Sequence, residues 1–173
     1  EFPGTITIPA ETLMDLIRGY CRSLDDHGFE HLVLVPTHGG NFGPVTTVAP
    51  EIARDVDASV VPLADLDALM ELMNRGLREA GVDYEEPVIH AGANETSIML
   101  AVHEHLVRTE RRDAGHEGAI SVPALLSKGF RYFTESGVLG DARESSREAG
   151  EAILENVAET YAREVSEARA ALS

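Results

Sequence analysis

The chain has no tryptophan, a single cysteine and a single lysine, Lys128. One cysteine cannot form an internal disulfide, and Cys21 falls among Leu, Ile and Tyr in a helical pattern, where a thiol reads as a small core residue. No apolar run approaches the roughly 18 residues of a membrane helix, and the basic, apolar, small-residue order of a signal peptide is missing. A membrane is therefore not expected as partner, and the cytoplasm is the expected compartment. Basic residues are scarce as a class: 14 stand against 30 acidic ones, for a formal net charge of -16. Without a basic patch there is nothing to neutralise phosphates or release counterions, so no nucleic-acid partner is expected. An acidic, lysine-poor surface resembles that of proteins from salt-loving organisms, whose cytoplasm screens such self-repulsion. Repeats, low-complexity tracts, glycine-rich nucleotide loops and any recognisable Ser-His-Asp or Cys-His order are also absent.

What remains is a globular composition, 43% apolar over 173 residues, which suits one domain with a sizeable core. The chain opens on Glu1, Phe2 and Pro3 with no initiator Met, and reads as a processed or truncated piece.

Leu13, Leu16, Ile17, Tyr20, Cys21 and Leu24 recur at helical spacing over 10–27, with Gly28 as stop. "HLVLVP" follows, a short apolar run that suits a strand buried on both faces. A helix is expected over 44–55 despite Pro50, and a strand in "SVVPL" at 59–63. Leu66, Leu69, Met70, Met73 and Leu77 share a face of a helix over 65–80 that Gly81 stops. "PVIH" at 87–90 reads as a brief strand, Asn94 as a cap, and 95–107 as a helix. Residues 109–121 read as a loop and 143–170 as a long charged helix. Strand and helix alternating in this way predict an α/β fold with a mostly parallel sheet and helices on both faces.

In such sheets ligands bind beyond the carboxyl ends of the strands. His38 ends one apolar run and His90 another, so both imidazoles are expected on one rim. Imidazole at a strand end can ligate a divalent metal, and Gly39, Gly40 and Asn41 leave room for substrate and offer backbone N–H groups to an anion. A purely structural turn, with His38 bonded to a carbonyl, fits the same spacing. Glu95 at a helix start is either a capping acid or a metal ligand or base, and His90 is a candidate proton donor to a departing nitrogen. His103 and His105 are expected to point to different faces as solvated or packing residues, while His27, His31 and His116 fall near turns without a partner pattern.

Four motifs, in order along the chain, resemble the creatininase (creatinine amidohydrolase) family. "FPGTITIP" resembles its Phe-Pro-Gly-Thr segment, "THGGN" its Gly-His-Gly-Gly-Asn turn, "HAGANETSIML" its His-Ala-Gly-x-x-Glu-Thr-Ser helix start, and "GVLGDA" its Gly-Val-x-Gly-Asp-Pro loop. The resemblance covers roughly the C-terminal two-thirds of a typical member. It implies a three-layer α/β/α sandwich, assembly as a homo-oligomer and often a hexamer, and hydrolysis of amide-type C–N bonds with two divalent metals, zinc with manganese or iron as alternatives.

By that resemblance His38 is a metal ligand, Gly39, Gly40 and Asn41 bind substrate, and His90 contacts substrate and moves a proton. Creatininase itself carries a glutamate ligand two residues after the metal His. Gly40 stands there in this chain, which argues against creatinine, and Glu95 is the carboxylate that replaces or supports that ligand. Pro36 and Thr37 replace the usual Asn-Gly, and Ala142 the usual proline. The family's Glu-x-His pair and following Asp lie upstream of the Phe-Pro-Gly-Thr segment. Here Glu30 precedes His31 directly, and "HEH" at 103–105 is helical. Two readings follow: a metal-dependent amidohydrolase of a small-molecule amide or formamide whose remaining ligands come from an N-terminal segment or another chain, or a shortened, non-catalytic member that serves as a binding or oligomer-scaffolding module.

Overall fold

A computed structural model describes residues 2–172, so Glu1 of the Glu-Phe-Pro start lies outside the described residues. The backbone gathers into two compact units, one of Glu1–Thr5 with Asp67–Ala158 and the other of Ile6–Leu66 with Glu159–Ser173.

In the second of these, the helical spacing after Pro9 produces α1 (Ala10–Asp26). Gly28 at φ 81° ends it as the sequence predicts. Strand β1 (His31–Leu34), helix α2 (Phe42–Asp55) and strand β2 (Ser59–Pro62) then form a β-α-β unit. The strands pair in parallel, with Leu32 opposite Val60. Leu32, Cys21, Val48, Ile52 and Ala58 make the core, with Met14, Ile17 and Val60 packed against it. Cys21 thus takes the core role expected of it. Strand β1 is buried on one face, not two: Leu32 is buried while His31 and Val33 are exposed. Among the described residues only β2 pairs with it, and its apolar cover comes from Cys21 of α1 and Val48 and Ile52 of α2. Arg18 pairs with Glu51 at 2.5 Å and Arg22 with Asp55 at 3.1 Å, which fastens α1 to α2. Helix α2 starts at Phe42, after a single 3-10 turn over Gly39–Asn41, and runs through Pro50.

The other unit is built on helices α3 (Leu66–Glu79), α4 (Ala93–His103), α5 (Val122–Lys128) and the first part of α6 (Arg147–Leu172). The buried face of α3 includes Leu72, Met73, Asn74, Gly76 and Leu77, so a polar residue sits in the expected apolar stripe. Leu77, Ala93 and Ala149 make a fully buried cluster where α3, α4 and α6 meet. Gly76 lets α3 and α6 touch, since a Cβ there would stand 2.5 Å from Cγ1 of Ile153 and 2.7 Å from its backbone nitrogen.

Three expectations change here. Residues 87–90 form no strand; only His90 pairs, in a single antiparallel bridge to Leu139. Its partner comes from a distant loop, and Pro87 has no N–H to extend a ladder. Asn94 does not cap α4: Gly92 holds that position and Asn94 is fully buried inside the helix. The helix stops at His103, and Glu104–Leu106 is a separate 3-10 turn. Helix α5 follows the segment that reads as loop, capped by the Ser121 hydroxyl and ended by Gly129 at φ 78°. The α/β class stands, with one two-stranded parallel sheet among the described residues.

Candidate functional site

His90 lies where three backbone segments meet. Its carbonyl accepts from Leu139 N at 2.9 Å, Leu139 also bridges to His116, and Gly115 N donates to Gly140 O at 2.9 Å. The His90 ring stacks on Phe130 with centroids 4.2 Å apart. Its Nδ1 lies 2.5 Å from the carbonyl oxygen of Gly137. A carbonyl only accepts, so Nδ1 carries the proton and the neutral ring keeps a lone pair on Nε2. That tautomer can take up a proton at Nε2 and, once charged, give it back.

After His90 the backbone turns through Ala91 at φ 56°, a left-handed value uncommon for a residue with a side chain. Glu95 holds this turn, accepting from Ala91 N at 2.5 Å. A carboxylate of the first helical turn reaching back to an amide ahead of the helix resembles a capping box. Glu95 therefore sits beside His90 in sequence and fold, with one oxygen engaged by the cap.

Sequence reading missed the residue behind this turn. Glu86 is 2% exposed, and its Oε2 accepts from Asn94 N at 3.0 Å. Burial pushes its carboxyl up to about 7, with the nearby Glu95 charge adding to the shift and the Asn94 and Ala93 amides opposing it. Asn74 bonds both backbone groups of Glu86, accepting from its N at 3.0 Å and donating to its O at 3.1 Å, and accepts from Asn94 Nδ2 at 3.1 Å. Asn74, an amide in the apolar stripe of a predicted helix, was the signal available.

The other motif lies in the β-α-β unit. His38, Gly39 and Gly40 are exposed, and Asn41 is half-buried ahead of α2. Gly40 N donates to His38 Nδ1 at 3.1 Å, so this ring carries its neutral proton on Nε2. Metal ligation would need Nδ1 released from that bond or the proton moved off Nε2. The structure thus brings His38, Gly39, Gly40 and Asn41 together in one unit, and His90 and Glu95 together in the other.

His103 and His105 lie at the end of α4, exposed, with ring centroids 6.0 Å apart and edge to face. His116 sits edge-on to Phe133 at 5.5 Å, with a buried Nε2 that has no partner. Asp141 of the "GVLGDA" loop is buried and fastened by Arg143, which holds its carboxyl below the usual range. Among the described residues no three His, Cys, Asp or Glu side chains gather as a metal cage. His38 alone, with Nδ1 engaged, does not fit a closed divalent site, which needs three or four protein ligands. No helix among the described residues is long and apolar enough to cross a membrane.

The family model described as creatinine amidohydrolase (creatininase) matches residues 1–165. Two similar curated proteins are the mycofactocin precursor peptide peptidase of Mycobacterium tuberculosis (strain CDC 1551 / Oshkosh), 31% identical over 95% of this chain and 59% of that protein, and the creatinine amidohydrolase of Pseudomonas putida, 31% identical over 90% and 62%. The chain thus spans about three-fifths of the length of these curated relatives. A crystal structure of creatinine amidohydrolase superimposes with a TM-score of 0.78 at 28% identity, covering 96% of this chain and 67% of that one. Matching creatininase structures also include a Zn-Zn type and a manganese form. The family model spans nearly the whole chain and the fold is that of a creatininase, so the protein belongs to the creatininase family.

Proposed function

We propose that this chain is the body of an amidohydrolase that cleaves a C–N amide or formamide bond of a small molecule, with His90 as the group that passes a proton to the departing nitrogen. The observation that carries this reading is the Nδ1 contact to the Gly137 carbonyl at 2.5 Å, which leaves Nε2 to exchange a proton. Glu95 supports it by holding the Ala91 turn. Gly39, Gly40 and Asn41 are proposed to contact substrate, and assembly as a homo-oligomer, a hexamer by family likeness, is proposed with them.

Use of a divalent metal, zinc with manganese or iron as alternatives, is proposed from the family and its zinc and manganese structures. His38 is the imidazole this chain would contribute. Among the described residues no group of three candidate ligand side chains forms around it.

One observation favours a second reading, a binding or scaffolding module without catalysis: His38 Nδ1 is already satisfied by Gly40 N. Release of amine or ammonia from a panel of small amides and formamides, with and without added Zn²⁺ or Mn²⁺, separates the two. The hydrolase reading expects metal-dependent release that His38→Ala abolishes. The scaffold reading expects none in either protein.

A further inference from the structure

The carboxyl of Glu86 is wedged between the two backbone segments that fix His90. On one side is the turn at Gly92, where a Cβ would stand 1.4 Å from Glu86 Oε1 and 2.9 Å from Leu139 O. On the other is Gly140, where a Cβ would stand 2.6 Å from the same oxygen and 2.9 Å from Tyr84 Oη. Oε2 is taken by Asn94 N, whereas Oε1 and the Tyr84 hydroxyl are both buried without a hydrogen-bond partner. The Leu139–Gly140 segment supplies the amide on the His90 carbonyl, and Gly137, just before it, supplies the carbonyl that receives the His90 Nδ1 proton. Both walls of the Glu86 pocket are therefore parts of the mount that holds His90.

We propose that Glu86 is a positioning residue, whose buried carboxyl braces the Gly92–Asn94 turn against Leu139–Gly140 and so holds the His90 ring with Nδ1–H on the Gly137 carbonyl. The bracing rests on geometry alone; its meaning for catalysis rests on the proton-transfer role proposed for His90. Burial raises the carboxyl to about 7, so the fold favours its protonated form. The titratable groups about it are Tyr84 on its own segment and Glu95 from α4. Asn74 from α3 is neutral, the Leu139–Gly140 side presents backbone, and Asp141 beyond it is paired with Arg143.

Nitrogen-15 spectra of the His90 imidazole in the whole chain test this without an activity assay. The native ring is expected as one neutral tautomer, protonated on Nδ1. Glu86→Gln keeps the shape and the acceptor for Asn94 N and is expected to preserve it. Glu86→Ala removes the brace, and Gly92→Ala pushes one methyl into Oε1 at a backbone φ of -89°, outside the left-handed region. Both are expected to lower the tautomer ratio about fivefold, the weight of one ordinary hydrogen bond. A native ratio in folded Glu86→Ala or Gly92→Ala overturns the proposal. If Glu86→Ala does not fold, Gly92→Ala carries the test alone. Hydrolysis that is unaffected by His90→Asn would sink the proton-transfer role and leave this result standing.

Discussion

At the scale of single residues, two histidines with similar surroundings in sequence differ in which nitrogen carries the proton. Gly137 O fixes the proton of His90 on Nδ1, while Gly40 N fixes that of His38 on Nε2. Glu86 adds a residue-scale prediction. Its carboxyl moves from an ordinary 4.5 to about 7, so the fold favours the protonated form. The resulting stabilisation is complete below about pH 4.5 and is lost as the pH rises through about 7, and it amounts to about 3 kcal/mol. Denaturant unfolding at a series of pH values checks it: the native chain should weaken over this window, and Glu86→Gln should remove that part of the slope. An unchanged slope would show that Glu86 does not carry it. Ala91 offers a second test, since its left-handed φ of 56° costs about 1–2 kcal/mol with a side chain present. Ala91→Gly should therefore fold without loss of stability in the same measurement, although glycine normally destabilises.

At the scale of elements, the cores follow from burial. Leu77 is fully buried between α3, α4 and α6, and Leu77→Ala should cost about 2–5 kcal/mol in thermal or denaturant unfolding. A cost well under about 1 kcal/mol would mean that the site collapses around the smaller side chain. The long periodic segments were legible: α1, α3 and α6 lie close to where their apolar spacing puts them, and Gly28 and Gly81 follow real helix ends. Helix α5 carries sequence signals in Ser121, Pro123 and Gly129, but its 7 residues are too few for apolar spacing to declare a helix. The candidate site was legible only in part. "HAGANETSIML" locates the His90 turn and the Glu95 carboxylate, yet Gly137, Leu139 and Phe130, which fix the ring, are 40 or more positions away. The pairing of His90 with Leu139 arises from such a long-range contact, which no local pattern encodes, whereas Glu86 is held from 8 and 12 positions away and was hinted at only by Asn74.

At the scale of the whole molecule, the net charge of -16 dominates. Its ion pairs are mostly exposed, such as Arg78 with Glu71 and Arg22 with Asp55, and such pairs contribute little each. The net self-repulsion of excess carboxylates should outweigh them, and salt screens it over a Debye length of about 10 Å at 0.1 M. The melting temperature is thus expected to rise as sodium chloride is raised toward about 1 M, where the Debye length is about 3 Å. A falling melting temperature would mean that specific ion pairs outweigh the repulsion. The proposed function has His90 pass a proton to the departing nitrogen as a C–N bond breaks. The most direct measurement is the metal-dependent rate of C–N cleavage by the native protein and by His90→Asn, whose amide cannot exchange protons. The expected result is a fall in kcat of about 10²- to 10⁴-fold with the fold intact. Equal rates in the two proteins would contradict it.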